Sequence, residues 1–115
     1  MRMIWVAAVI VASVGALAGP AEADRFVCTN EAGAPEYIEV DFAHSTVTSF
    51  DEEKNFKPEY VAPATVSNSK IGWKDSFANS DYTIDRQTLV LENRFEGDLI
   101  YEKTCKLLSP AEGWR

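Results

Sequence analysis

The 115-residue sequence contains one histidine, His44, and only two cysteines, Cys28 and Cys105. One histidine leaves zinc short of ligands, and the absence of Cys-x-x-Cys spacing argues against a thioredoxin-type redox pair. Basic clusters are missing as well: 11 Lys and Arg residues are scattered among 18 acidic ones, for a net charge of −7. Binding nucleic acid through its phosphates needs a basic patch, so nucleic acid and anionic lipid surfaces are poor partners. The acidic balance favours a basic protein or a cationic ligand. There is no internal repeat, low-complexity tract or linker.

Catalytic motifs are equally scarce. A Ser-His-Asp arrangement would need His44 as its base, but Ala43-His44-Ser45 reads as a hairpin turn, and no serine sits in a nucleophile elbow. The acids Asp51, Glu52, Glu53, Asp81 and Asp85 have no spacing that by itself sets two of them across a cleft. Asp51-x-Glu53-x-Asn55 opens like a calcium loop, yet Phe56 stands where glycine is required and Ala62 where the closing glutamate belongs. These residues point to a protein that is not an enzyme and holds neither metal nor cofactor.

What is present starts at the N-terminus. Arg2 precedes an apolar stretch from Met3 to Ala18, followed by Gly19-Pro20 and Ala21-Glu22-Ala23, the pattern of a secretory signal peptide cut ahead of Asp24. The run is shorter than the roughly 20 apolar residues that span a bilayer. Pro20 stands where a lipoprotein signal needs its lipid-bearing cysteine, so no stable membrane anchor is expected after cleavage. The chain then divides into a signal peptide (1–23), one domain (24–108) and a loose tail (109–115) from which Trp114 is able to dock. The part beyond Ala23, about 90 residues, suffices for one domain with a modest core. A periplasmic or secreted location in a bacterium follows. In that oxidising setting Cys28 and Cys105 are most simply a disulfide.

Between the cysteines, short alternating segments separated by turn residues give the all-β signature. Ile38, Val40 and Phe42 alternate with Tyr37, Glu39 and Asp41, predicting one core face and one wet face. Thr46 to Phe50, Ile71 with Trp73, Tyr82 with Ile84, and Leu89 to Phe95 continue the series. Pro63 makes the segment Tyr60 to Val66 broken, bulged or at an edge. Glu96-Gly97-Asp98 is the clearest turn. In the last strand Leu99, Tyr101, Cys105 and Leu107 share one side. Cysteines in the first and last strands bring those strands together, predicting a small antiparallel meander of seven to eight strands, closed or nearly closed into a barrel whose ends a disulfide joins.

The signal peptide, Phe26-x-Cys28 opening the domain, the hairpin from Val40 to Val47 and Tyr101 to Cys105 in the closing strand resemble the small secreted bacterial β-barrels with a cysteine at each end. The periplasmic inhibitors of C-type lysozyme, the MliC kind, are the best-understood of these. Their Ser-Gly-x-x-Tyr inhibitory loop is absent here, with Ser67-Asn68-Ser69 a loose stand-in. Ile71-Gly72-Trp73 and Ile84 to Thr88 also look like segments of uncharacterised exported proteobacterial proteins, from which no activity transfers. The resemblance implies an envelope protein that binds or inhibits a basic protein such as lysozyme. The candidate binding loops hold Asp51, Glu52, Glu53 and Phe56, and Ser67, Asn68 and Ser69. An aromatic among charges, Phe56 is either an anchor for a partner or a residue folded under its own loop. The alternatives are an apolar ligand inside the barrel or a structural role in the envelope.

Overall fold

A computed structural model describes residues 23–109, Gly113 and Trp114. The segment expected to be a signal peptide, with its expected Ala21-Glu22-Ala23 cut site, falls almost wholly outside the described residues, as do 110–112 and 115 of the tail. The described chain is an antiparallel meander of β1 (Ala23–Thr29), β2 (Glu36–Asp41), β3 (Thr46–Asp51), β4 (Lys57–Val66), β5 (Lys70–Asp75), β6 (Ser80–Asp85), β7 (Val90–Phe95) and β8 (Asp98–Leu108). One 3-10 turn, Glu52–Lys54, lies between β3 and β4. Each strand pairs with the next, and β1 pairs with β8, closing the barrel. Cys28 and Cys105 face each other in the β1–β8 register, with a Cα separation of 3.9 Å, and are joined by the disulfide.

Period-two alternation supplies the core. Phe26, Cys28, Ile38, Val40, Val47, Ala62, Ile71, Trp73, Ile84, Leu91 and Cys105 are buried in one cluster inside the barrel. Burying these side chains away from water, at about 25 cal/mol per Å² of apolar surface, is the main drive for closure. The turns are set by side chains that cap the chain's own amides. Asp85 accepts hydrogen bonds from the Gln87 and Thr88 amides at 2.8 and 3.0 Å. Glu96 and Gly97, both at positive φ (52° and 88°), form a two-residue link whose twist suits the flanking strands.

Three sequence expectations meet the tertiary structure in instructive ways. The outward-facing Tyr37, expected on a wet face, is only 6% exposed, because Phe56 and Trp114 cover it. Leu99 and Leu107, grouped with Cys105 by alternation, are exposed, since each lies close to an end of β8 and outside the cluster. Pro63 lies in a strand that is continuous from Lys57 to Val66, with a register shift against β3 between Ser49 and Phe50. On its other side β4 pairs with β5 only from Ala64 to Val66. Pro63 therefore stands where the chain has no β5 ladder to serve, and its missing N–H costs nothing.

Candidate functional site

In an up-and-down meander, alternate connections emerge at opposite ends. The β1–β2, β3–β4, β5–β6 and β7–β8 connections gather at one end, and the β2–β3, β4–β5 and β6–β7 connections at the other. The two candidate loops consequently lie apart. Asp51, Glu52, Glu53 and Phe56 belong to the first end and Ser67, Asn68 and Ser69 to the second. The latter form a self-contained turn: Ser67 Oγ accepts from the Lys70 amide at 3.1 Å, and Arg86 holds the Ser67 carbonyl at 2.8 Å. The Ser67 and Ser69 hydroxyls lie 3.3 Å apart within it and help to fix the chain.

At the first end a cavity of about 270 Å³ opens between the strand ends, lined by Asp51, Glu52 and Glu53 together with Glu36, Glu59 and Asp75. Ser49, Phe50, Tyr60, Tyr82, Ala34 and Pro35 complete its wall. Among the described residues that line it, none is basic. The sequence reading missed Glu36, Glu59 and Asp75. Two of them carried a signal: Glu36 precedes Ile38 by two and Asp75 follows Trp73 by two, which continues each inward series to the rim. Glu59 is carried there by the register shift of β4, where it accepts a hydrogen bond from Ser49 Oγ at 3.2 Å.

Beneath the rim the interior is polar. The Lys103 ammonium, on a residue only 7% exposed, donates to the Ala34 carbonyl at 2.6 Å and sits 3.0 Å from Glu36 Oε2. Tyr101 donates its hydroxyl to the same carboxylate oxygen at 2.7 Å. With that proton used, Tyr82 is the donor in the 3.3 Å contact between the two tyrosines. Trp73 stacks on Tyr82 at 5.2 Å and, from the last pair of the β4–β5 ladder, donates its indole N–H at 3.0 Å to Tyr60, which lies beyond that ladder. Burial pushes the hydroxyls of Tyr60, Tyr82 and Tyr101 above the ordinary phenol range, and for Tyr101 the hydrogen bonds to Tyr82 and Glu36 add to it. These tyrosines stay neutral hydrogen-bonding groups at any physiological pH.

The inner network spends Lys103 on Glu36, leaving the outer carboxylates to face solvent without a resident cation in the wall. The carboxylates give the mouth a negative lining. Among the described residues, no group of three or more His, Cys, Asp or Glu is placed to hold a metal ion. His44 lies at the far end, exposed, with Nδ1 2.9 Å from Asp41 Oδ2. That contact and the His44 amide hold the Asp41 carboxyl below its usual range. Phe56 leaves the mouth altogether: its ring meets Tyr37 edge-on at 4.9 Å and stacks with Trp114 at 6.2 Å on the outer wall. No protein family, curated protein or solved structure matches this chain.

Proposed function

We propose that this chain is an exported, non-enzymatic binding protein of the bacterial envelope whose acidic mouth receives a basic side chain presented by a protein partner, a lysozyme being the test case. The observation that carries the reading is the wall of six carboxylates around one cavity with no basic residue in it. Like charges held at a low-dielectric rim raise the local potential, speeding encounter with a cationic partner and favouring it over acidic ones. The Cys28–Cys105 disulfide is compatible with an exported protein. Phe26, Ile38, Val40, Val47, Ile71, Ile84 and Leu91 fill the interior below the mouth, which leaves the apolar-ligand alternative without a supporting observation.

The test mixes oxidised protein with a C-type lysozyme at low and physiological salt, reading complex formation by gel filtration and cell-wall lysis by turbidity. A complex that weakens with salt, and weakens about tenfold or more in Glu52→Gln/Glu53→Gln/Glu59→Gln, is the expected result. No complex with lysozyme or with a second basic protein at low salt would overturn the reading.

A further inference from the structure

The outer wall of β1–β3 holds a second assembly that the acidic mouth does not use. The Trp114 indole lies against Tyr37 of β2 at 5.7 Å, Phe50 of β3 at 5.0 Å and Phe56 of the β3–β4 loop at 6.2 Å. The Arg25 guanidinium of β1 covers the ring at 4.9 Å and is itself fixed by Glu39 at 3.0 Å. Edge, stacked and cation–π contacts thus surround one indole, the combination that recognises this ring best. Three of the four cradle residues stand on strands, so most of the cradle is preformed by the barrel.

Phe56 links this cradle to the mouth. Asn55 and Phe56 are consecutive left-handed residues (φ 59° and 60°), a conformation that asparagine tolerates and a bulky aromatic rarely adopts. They close the loop through hydrogen bonds from the Asn55 amide to the Glu52 carbonyl (3.1 Å) and from the Phe56 amide to the Asp51 carbonyl (2.9 Å). The Glu53 amide donates to Asp51 Oδ1 at 2.9 Å. An unusual backbone conformation persists when its surroundings over-determine it, and for Phe56 those surroundings are Tyr37 and the indole.

We propose that this outer face is an indole-binding site with Trp114 as its tethered ligand, and that occupancy of the site holds the Asp51–Phe56 turn in the shape that presents Glu52 and Glu53 to the mouth. A short tether from β8 supplies the indole at an effective concentration in the millimolar range, enough for a weak site to be filled. The link to recognition rests on the function proposed above; the cradle and the turn do not.

The experiment is amide hydrogen exchange on the oxidised protein and its Trp114→Ala variant, with and without N-acetyl-tryptophanamide at millimolar concentration. In the variant the Glu53, Asn55 and Phe56 amides should exchange about tenfold or more faster, with the amides of Ile38, Val47 and Ile84 unchanged. The free indole should restore protection, N-acetyl-alaninamide should not, and Trp114→Ala/Tyr37→Ala should lose the rescue. Unchanged exchange in Trp114→Ala, or a variant that the free indole fails to rescue, overturns the proposal. Lysozyme binding by the same variant is read separately. Faster exchange with no lysozyme complex from any form removes the function and leaves the cradle. Lysozyme binding by the native chain with slow exchange in Trp114→Ala does the reverse.

Discussion

The barrel's two halves obey the same alternation rule and fill it differently. Toward the β2–β3 and β6–β7 turns the inward positions are Val40, Val47, Ile71, Ile84 and Leu91, all fully buried. Toward the acidic end they are Glu36, Ser49, Tyr60, Tyr82, Asn93, Tyr101 and Lys103, several of them tied by hydrogen bonds to partners on other strands. The apolar half gains free energy from each side chain it removes from water. The polar half gains little net energy per hydrogen bond, because each replaces a bond to water. It obtains directional contacts and a rim whose charges have fixed positions. Stability and recognition chemistry are in this way separated along one barrel axis.

The sharpest way to break that division is to open the β1–β8 seam that both halves share. Replacing the cysteines by Cys28→Ser/Cys105→Ser frees a loop spanning 77 positions, and the chain-entropy model sets the loss at about 4 to 5 kcal/mol. Urea unfolding should show it as a fall in midpoint with a steeper slope, because the denatured chain without its cross-link is more expanded. Loss of one half's signal before the other would show that the halves are not cooperative.

Single side chains should then separate the halves. Leu91→Ala, which leaves a void in the apolar half, should cost roughly 2 to 5 kcal/mol. Ser49→Ala in the polar half should cost less than about 1 kcal/mol, because its partner Glu59 is exposed and returns to water. Equal losses at the two sites would dissolve the comparison.

The smallest expected effect is a dependence on alkaline pH confined to the polar half. Tyr60, Tyr82 and Tyr101 have folded-state pKa values raised above their unfolded values. Their contribution is complete below about pH 10, where the unfolded phenols are protonated, and declines as pH rises beyond it, because the unfolded chain then releases protons that the folded barrel retains. Absorbance near 295 nm should accordingly report these phenolates only as the fold melts. Their ionisation in a barrel that still shows native circular dichroism would mean that water reaches the polar interior.

The strand series, the disulfide and the closed barrel were legible in the chain because alternation and cysteine placement are local or covalent facts. Pro63 was legible only in part: the strand runs unbroken through it, and its register shift against β3 falls at Ser49/Phe50 instead, while the side of Pro63 without a β5 ladder tolerates the missing N–H. Phe56 was open between two readings. The structure seats its ring on Tyr37, and Phe56 and the Trp114 indole together explain why an alternating strand carries a buried residue on its wet side.

The order of apolar and polar residues by itself determined that this chain forms a meander of seven to eight strands with one covered face each, and the even cysteine pair in its first and last strands pointed to their joining. Which loops share an end was decided by the closed meander, which sends Ser67–Ser69 to one mouth and Asp51–Glu53 to the other. The gathering of Glu36, Glu59 and Asp75 around the same cavity belongs to tertiary structure as well. Strand stagger and the shift at Ser49/Phe50 place residues far apart in sequence at one rim, and charge proximity of that kind is a property of the closed barrel and not of any segment within it.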